Sequence, residues 1–383
     1  MVDRRTLIKG GLVAGGIGVI VSTGSLFPIS FARANTDKRF VFIILRGAAD
    51  GLSIVMPSGD PAYMGLRGAV APEESPEKLD STFSLHPALT EVGKLYSQRN
   101  AIFAQAIASV YRDRSHFDGQ NVLESGGAKP FAVKTGWMNR MLSLVSAEDR
   151  RAIALASAIP LAMRGQNEVY TYSLGETQSL SDDVAARVAG LYRQDPELGT
   201  LWEAAVRTLD LAGDAGKGAR RGARLGALAA RLLAADDGAR IMMIESSGWD
   251  THVRQKVRLD SQLRELDATV GALVGGLGQD WANTMIVVAT EFGRTAAING
   301  TGGTDHGTGG MGMVLGGGLG AAKVVADWPG LSPAQLLQNR DLRPTASTEG
   351  MIVSAVSRHF AIDPGKVRRA LYSELSSIKF PTF

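Results

Sequence analysis

The chain has 383 residues, with 41 lysines and arginines against 38 acidic residues, five histidines and no cysteine. The lack of cysteine excludes disulfides, thiolate metal sites and cysteine nucleophiles, so a transition metal would have to bind histidine and carboxylate side chains. The basic excess lies in residues 1–34, which hold four basic residues against Asp3 alone, and the other residues carry 37 charges of each sign. A chain without a basic surplus is a poor candidate for nucleic-acid binding.

Residues 1–34 have the composition of an export signal. The paired Arg4 and Arg5 precede a weakly hydrophobic, glycine-rich stretch that runs to about Ala32, a pattern typical of twin-arginine signals. Small residues at its end predict cleavage after Ala34. We therefore expect the twin-arginine export machinery as a partner, only transient membrane contact, and a mature protein in the periplasm. The alternative is a retained membrane anchor, because about 20 apolar residues can span a bilayer.

Five continuous apolar runs have the pattern of strands buried on both faces of a parallel sheet. In chain order they lie at 39–45, 101–108, 240–244, 285–289 and 311–315. Between the third and fourth runs, aliphatic residues from Val257 to Leu277 recur at helical spacing. The alternation of strand and helix predicts an α/β fold with a doubly wound, mostly parallel sheet and right-handed crossovers.

Residues 129–238 differ in composition from the rest of the chain. They contain segments rich in alanine and arginine with helical patterns, and one short alternating run at 169–173. The helical segments span 181–194, 197–211 and 216–235. We interpret this stretch as a largely helical insertion that packs beside the sheet and partly caps the site. The predicted organisation is a signal at 1–34 followed by one α/β domain at 35–383 that carries the insertion.

Polar side chains follow the predicted strands at the points where the strands end. In doubly wound sheets, ligands bind beyond the carboxyl ends of the strands, so these residues are the candidates for chemistry. The candidates are Arg46, Asp50, Arg112, Ser115, His116, Asp250, His252, Glu291, Arg294, Asp305 and His306. Three of the five histidines are among them, which favours a functional site at this edge of the sheet.

These residue types together favour the binding of a metal ion and of an anionic substrate group. Carboxylates and imidazoles bind zinc, manganese, magnesium or calcium. The guanidinium groups of Arg46, Arg112 and Arg294 suit a tetrahedral anion, because each can pair two oxygens at once. A bound metal lowers the pKa of a hydroxyl or water and so generates a nucleophile at neutral pH. The sequence therefore predicts metal-assisted hydrolysis of a phosphate or sulfate ester, either a small molecule or a polysaccharide ester.

Five motifs, in order, resemble those of the bacterial exported family called domain of unknown function 1501. They are Leu-Arg-Gly-Ala-Ala-Asp-Gly-Leu at 45–52, Tyr-Arg-Asp-Arg-Ser-His-Phe-Asp at 111–118, Gly-Trp-Asp-Thr-His at 248–252, Thr-Glu-Phe-Gly-Arg at 290–294 and Gly-Gly-Thr-Asp-His-Gly-Thr-Gly at 302–309. That family is similar, more distantly, to the alkaline phosphatase superfamily, which includes sulfatases and cofactor-independent phosphoglycerate mutases. The resemblance implies a three-layer α/β/α sandwich and one or two divalent metal ions.

The superfamily resemblance also implies roles for individual residues. Metal ligation is implied for Asp50, Asp250, His252, Glu291, Asp305 and His306. One site, made of Asp250, His252 and His306, has its full set of ligands, although the spacing from Asp250 to His252 is two residues where the superfamily has four. The other retains Asp50, Glu291 and the Ser115 hydroxyl, but Phe292 stands where the superfamily has a histidine.

The nucleophile and the type of activity remain open at this point. Counting back from Gly126 by ten or eleven residues, the superfamily spacing for the nucleophile, leads to His116 or Ser115. We favour Ser115, because a serine hydroxyl can bridge a metal and attack, and a helix N-terminus stabilises the resulting anion. The change at Phe292 motivates an alternative, a catalytically lapsed envelope binding or assembly protein. An isomerase or transferase that uses the same site is a third hypothesis.

Overall fold

The computed structural model describes residues 37–173 and 221–375. The strands are β1 (Arg39–Arg46), β2 (Val55–Met56), β3 (Glu77–Lys78), β4 (Ser84–Leu85), β5 (Asn100–Ala108), β6 (Ala152–Leu155), β7 (Tyr170–Tyr172), β8 (Ile241–Ser247), β9 (Thr284–Ala289), β10 (Gly310–Gly316), β11 (Ala321–Val325) and β12 (Ala346–Ser347). The α-helices are α1 (Gly51–Ile54), α2 (Tyr63–Arg67), α3 (Thr90–Ser97), α4 (His116–Ser125), α5 (Trp137–Leu142), α6 (Arg221–Ala234), α7 (Gln255–Leu277), α8 (Thr348–Phe360) and α9 (Pro364–Leu371). Short 3-10 helices lie at Gly68–Val70, Ala147–Asp149, Leu161–Met163 and Gly278–Asn283.

Nine of the described strands form one sheet. Their order is β11-β5-β10-β9-β1-β8-β6-β7, and β12 pairs with the end of β5. The pairings in this sheet are parallel except those of β10, which runs antiparallel to β5 and β9. A smaller antiparallel sheet consists of β2, β4 and β3. The predicted mostly parallel α/β sheet is therefore confirmed.

Strand β1 runs through the centre of the sheet and separates two hydrophobic cores. Side chains of successive strand residues point to opposite faces, so Val41, Ile43 and Leu45 pack with α3, α6 and α7 on one side. The alternate residues Phe40 and Phe42 pack with α5, α8 and α9 on the other. All five are essentially inaccessible to solvent. The result is the predicted three-layer α/β/α sandwich. The loops that carry the candidate site follow the carboxyl ends of its strands.

The predicted strands and helix stripe agree with the structure. The five apolar runs fall within β1, β5, β8, β9 and β10, except Arg240, which directly precedes β8. The stripe in α7 buries its leucines from Leu259 to Leu277 against the sheet. Val257 is an exception, because its side chain is 72% exposed. No helix in the described ranges is both long and apolar enough to cross a bilayer.

The segment 129–238 requires a correction. In its described part, β6 pairs with β8 and β7 pairs with β6, so the segment extends the sheet by two strands. Helix α6 lies against α7, where a Cβ at Gly226 would collide with the backbone of α7, so glycine permits close helix packing. The described residues of the segment are therefore part of the sandwich, and the largely helical insertion stays a prediction for the others. The helical segments expected at 181–194 and 197–211 lie outside the described residues, as does the signal at 1–34.

Candidate metal centre

Loops at the carboxyl ends of β5, β8 and β9 carry the site residues. After β5 the chain turns and begins α4 at His116. After β8 it passes through Asp250 and His252, and the long loop from β9 to β10 supplies His306. Because β8, β9 and β5 are mutually parallel, their carboxyl ends meet at the same edge of the sheet. The structure thus brings together four side chains that are distant in the sequence.

The three imidazoles face one another through their Nε2 atoms. The Nε2 of His306 lies 2.9 Å from the Nε2 of His116 and 2.9 Å from that of His252. Asp250 completes the group, with Oδ1 3.0 Å from His252 Nε2 and 3.4 Å from His306 Nε2. Its Oδ2 lies 3.5 Å from His116 Nε2. His116, Asp250 and His306 therefore form a compact group that could hold a metal ion, and His252 lies next to Asp250 and His306.

The opposite nitrogen of each imidazole is held by an acceptor. A carboxylate or a backbone carbonyl can only accept a hydrogen bond, so each Nδ1 must carry the proton. In a neutral ring, Nε2 is then left with an unprotonated lone pair. Such outer bonds fix the tautomer and orientation of histidines that bind metals. The bonds run from His116 to Glu291 Oε1 at 2.8 Å, from His252 to Asp305 Oδ1 at 3.0 Å, and from His306 to the Arg114 carbonyl at 2.9 Å.

This donor set suits a divalent metal ion. Zinc binds nitrogen and oxygen ligands at about 2.0 to 2.2 Å in tetrahedral sites, which places the ligand atoms roughly 3.3 Å apart. The separations from His306 Nε2 to the other two imidazoles, and from Asp250 to all three, are 2.9 to 3.5 Å and lie close to that value. Imidazole ligands favour zinc over magnesium or calcium, which prefer oxygen. His116, Asp250 and His306 are therefore the residues that could hold a metal ion together.

Glu291 acts behind His116 and does not face the common point. Its carboxylate is fully buried and also accepts from the Gly47 N–H at 2.8 Å and from Gln120 Nε2 at 3.0 Å. Burial alone would raise the pKa of Glu291, but the bonds from His116 and Gln120 hold it below its ordinary value. The predicted ligand role of Glu291 is thus corrected to that of an anchor for His116. Asp305 holds His252 in the same way.

The central histidine, His306, and its neighbour His116 differ in their electrostatic environment. The hydrogen bond to Glu291 raises the pKa of His116. Burial, followed by the nearby His116, lowers the pKa of His306. His306 therefore favours the neutral form that a metal requires.

Phe292 stands where the superfamily resemblance led us to expect a histidine. Its ring stacks on the His116 imidazole, with centroids 5.0 Å apart and planes at 27°. The phenyl ring is buried and has no donor atom, so it restricts His116 by packing. Phe292 thus offers no ligand atom, and its ring packs against the imidazole of His116, which is a candidate ligand.

Asp250 interacts with an arginine as well as with the histidines. Arg294 Nη1 lies 2.6 Å from Asp250 Oδ1, and the rest of the guanidinium bonds to Thr304. Burial acts to raise the pKa of Asp250, whereas the Arg294 hydrogen bond and charge lower it, and the balance lies below the ordinary value. Asp250 is therefore ionised and ready to ligate a cation. The Arg294 side chain is inaccessible and is not free to clamp a substrate anion.

The other predicted anion-binding arginines are also engaged. Arg46 pairs with Glu124, at 2.8 Å, and with Glu245. Arg112 donates to backbone carbonyls of its own loop. The expected arginine clamp is therefore not assembled in this structure, because carboxylates and carbonyls already take up these guanidinium groups.

Asp50 does not join the imidazole cluster. It is buried, and Arg67 contacts both of its oxygens while Ser53 and Gln255 donate to Oδ2. Burial would raise the pKa of Asp50, but the charge of Arg67 keeps it below its ordinary value. The predicted ligand role of Asp50 is therefore corrected: its cation is a guanidinium supplied by the chain.

Ser115 lies one residue before the first ligand. It is the N-cap of α4, its backbone N–H donates to the Tyr111 hydroxyl at 3.1 Å, and its own hydroxyl makes no hydrogen bond within the described residues. His116, and not Ser115, faces the cluster. The second metal site expected from Asp50, Glu291 and Ser115 is not assembled, because Asp50 pairs with an arginine and Glu291 with an imidazole.

Sequence reasoning missed three residues that shape the site. They are Gln120, Arg67 and Gln255. Gln120 lies four residues after His116 on α4, and both side chains reach Glu291. That helical spacing is a signal that could have identified it.

Comparisons with solved structures give only distant similarity. The structure is similar to Ps i-CgsB, which was crystallised with k-i-k-neocarrahexaose. The TM-score is 0.39, the sequence identity is 12%, and the match covers 76% of this chain and 68% of that chain. It is similar to the alkaline phosphatase of the Antarctic bacterium TAB5, with TM-score 0.36, 14% identity and coverages of 75% and 94%. It is also similar to LtaP, the lipoteichoic acid synthase from Listeria monocytogenes. The TM-score is 0.35, the identity is 10%, and the match covers 84% of this chain and 72% of that chain. TM-scores below 0.5 at such identities establish neither a shared activity nor a shared site.

The family comparison is more specific. No curated protein matches the chain. The model of a protein family of unknown function, DUF1501, matches residues 37–371. That range contains all five sequence motifs and the whole imidazole cluster. The chain belongs to the DUF1501 family.

Proposed function

We propose that this protein is a zinc-dependent hydrolase of anionic esters, with phosphate or sulfate monoesters and diesters as the substrate class. The observation that carries the proposal is the convergence of three imidazole Nε2 atoms whose Nδ1 atoms are each held by an acceptor. In the neutral rings the Nε2 atoms carry no proton, and those of His116 and His306 lie with the Asp250 carboxylate in one group that suits a cation. Bound zinc would polarise the ester and lower the pKa of an oxygen nucleophile.

The protein residues supply access and a candidate nucleophile. His252 and Asp250 are 38% and 41% exposed, so a substrate can approach the cluster from solvent. Ser115 is half-buried at the N-terminus of α4, and its hydroxyl is free of hydrogen bonds within the described residues. The N–H groups of a helix N-terminus favour an anion at that position. We therefore retain Ser115 as the proposed nucleophile, next to its chain neighbour His116.

The test combines metal analysis with a substrate screen. Zinc-loaded protein would be assayed against phosphate and sulfate monoesters, diesters and polysaccharide sulfates. We expect Ser115→Ala to keep the zinc and to lower kcat by at least ~10³-fold, as the removal of a nucleophile does. Ser97→Ala, an exposed serine on α3, is the matched control. Absence of turnover by zinc-loaded protein, or full activity of Ser115→Ala, would contradict the proposal.

A second candidate is a binding or assembly role without catalysis. It is favoured by the arginines near the strand ends, which already form ion pairs within the chain and are not free to bind a substrate anion. A stoichiometric partner captured equally by the wild type and by Ser115→Ala, with no ester cleaved, would support this role over hydrolysis.

We also propose export of the chain through the twin-arginine pathway to the periplasm, on the basis of residues 1–34 alone. Fusion of that segment to a folded reporter should place the reporter in the periplasm. Changing both Arg4 and Arg5 to lysine should retain the reporter in the cytoplasm. Export that is unaffected by the double change would contradict this proposal.

A further inference from the structure

Arg114 has an unusual backbone conformation next to the candidate metal centre. Its φ is +60°, in the left-handed region that residues other than glycine seldom occupy. For a residue with a Cβ atom this conformation is unfavourable, so the surrounding structure must hold it in place. The backbone conformation also sets the direction of the Arg114 carbonyl, which accepts the Nδ1–H of His306 at 2.9 Å. A strained residue thus provides the hydrogen bond that orients a candidate metal ligand.

A buried carboxylate holds the side chain of Arg114. Asp341 is inaccessible to solvent, and its Oδ2 accepts from Arg114 Nε at 3.0 Å and lies 2.7 Å from Arg114 Nη2. The Nη2 group also donates to Gln338 Oε1 at 3.0 Å. Because two nitrogens of one guanidinium are fixed, the backbone that carries it has little freedom to rotate.

The same carboxylate also holds the segment that carries His306. Asp341 Oδ2 accepts from the hydroxyl of the buried Thr308 at 2.8 Å, and Thr308 lies two residues after His306. The other oxygen, Oδ1, accepts from Arg340 Nη1 at 2.8 Å. Asp341 therefore joins the loop of the imidazole to the residue whose carbonyl holds that imidazole.

We propose that Asp341 is a positioning residue for His306. By binding the Arg114 guanidinium it keeps the Arg114 backbone in the left-handed region, and by binding Thr308 it keeps His306 within reach of the Arg114 carbonyl. That carbonyl keeps the proton on Nδ1 and leaves Nε2 available to a metal ion. The inference rests on the proposed metal centre, and it adds a residue that none of the five sequence motifs contains.

The sharpest test compares two substitutions of Arg114 in the full-length protein. Arg114→Ala and Arg114→Gly both remove the guanidinium, but only glycine adopts a positive φ without a steric cost. We expect both variants to bind zinc more weakly than the wild type. The glycine variant should bind it about fivefold more tightly than the alanine variant, measured by competition with a chelating dye.

Arg99 provides the matched control for this comparison. It is also in the left-handed region, with φ +63°, but it directly precedes β5 and so lies at the opposite end of that strand from α4. Arg99→Ala and Arg99→Gly should both bind zinc like the wild type.

The role of Asp341 itself is tested by Asp341→Asn. Both oxygens of Asp341 accept from donors, so the amide NH₂ of an asparagine would face a donor in either orientation. We expect zinc affinity to fall about 10- to 100-fold, the usual effect of removing an outer partner. Asp267→Asn changes another buried carboxylate, which accepts from backbone N–H groups at the start of α3, and should leave zinc affinity unchanged.

A metal-free measurement separates this inference from the proposed metal centre. Two-dimensional NMR of the metal-free protein with ¹⁵N-labelled histidine, at pH 8, reports which ring nitrogen of His306 carries the proton. We expect the Nδ1–H form in the wild type and in Arg114→Gly, and a mixture of both forms in Arg114→Ala and Asp341→Asn. This pattern in a protein that does not bind zinc would support the positioning of His306 while contradicting the metal centre.

Two results would overturn the inference. One is the same zinc affinity and the same His306 tautomer in Arg114→Gly and Arg114→Ala. The other is a wild-type tautomer of His306 in folded Asp341→Asn. Thermal unfolding establishes that each variant is folded, and the two Arg114 variants remain decisive if Asp341→Asn does not fold.

Discussion

Two carboxylates, the partly exposed Asp250 and the buried Asp50, follow neighbouring strands of the same sheet but have different partners. Asp250 faces three imidazole nitrogens whose protons are held on the opposite side of each ring. Asp50 faces Arg67, which is completely buried and contacts both of its oxygens. A guanidinium reaches both carboxylates, but Arg294 contacts only Oδ1 of Asp250, whereas Arg67 contacts both oxygens of Asp50. A carboxylate at a strand end is thus a candidate metal ligand only if it keeps an oxygen that no guanidinium of the chain contacts.

Removing a central ligand should have the largest effect on metal binding. His306 Nε2 lies 2.9 Å from both of the other imidazole nitrogens, so His306→Ala should lower zinc affinity by more than the roughly 10- to 100-fold effect of outer partners. Competition with a chelating dye measures the change. His86→Gln alters a buried histidine elsewhere and should leave affinity unchanged. If His306→Ala bound zinc with the affinity of the wild type, the imidazole cluster would not be the zinc site.

Removing the Arg67 guanidinium, which pairs with Asp50, should lower the stability of the protein. Arg67→Met leaves the Asp50 carboxylate buried and unpaired, which costs about 3–5 kcal/mol in the free energy of unfolding. Denaturant unfolding measures this change, and zinc affinity should stay the same. Arg264→Met, which breaks a surface pair with Asp260, should cost no more than about 1 kcal/mol. Equal costs for the two substitutions would show that Arg67 does not compensate Asp50.

The outer support of His116 should contribute a smaller part of metal affinity. Glu291→Gln removes the charge that orients this imidazole, and we expect zinc to bind about 10- to 100-fold more weakly. The control is Glu245→Gln, which changes a carboxylate within β8 that pairs with Arg46. If both variants bind zinc like the wild type, then Glu291 is not an anchor for the metal site.

The smallest expected effect concerns His359, a buried histidine away from the imidazole cluster and from Asp50, and the pH dependence of the free energy of unfolding. Burial lowers the pKa of His359 from 6.5 to about 3, so the unfolded chain takes up this proton before the folded protein does. The free energy of unfolding is therefore lost as pH falls below 6.5, by up to about 2 kcal/mol between pH 7 and pH 5. Denaturant unfolding of His359→Leu at both pH values should show a correspondingly smaller loss than in the wild type. An unchanged pH dependence would contradict this interpretation of His359.

The fold was predictable where strands are buried on both faces. Long apolar runs identify β1, β5, β8, β9 and β10, because a strand in the middle of such a sheet contacts only other side chains. Strand β6, with the sequence Ala-Ile-Ala-Leu, was missed because it is short and because alanine favours helices. The antiparallel direction of β10 carries no local signal, since the long loop before it allows either direction.

The site was predictable in position but not in its inner arrangement. The strand-end rule placed Asp250, His252, Glu291 and His306 at one edge of the sheet. It could not separate ligands from their outer partners, because that depends on which way each side chain points. Arg67 lies 17 residues after Asp50 in a segment whose sequence gives no sign of a buried ion pair.

The most direct test is a zinc-loaded crystal of the full-length protein, with diffraction data collected on both sides of the zinc absorption edge. The account predicts one strong anomalous peak, within bonding distance of Nε2 of His116 and His306 and of a carboxylate oxygen of Asp250. It also predicts no zinc at Asp50. A peak at Asp50, or no peak among the three imidazoles, would contradict the account.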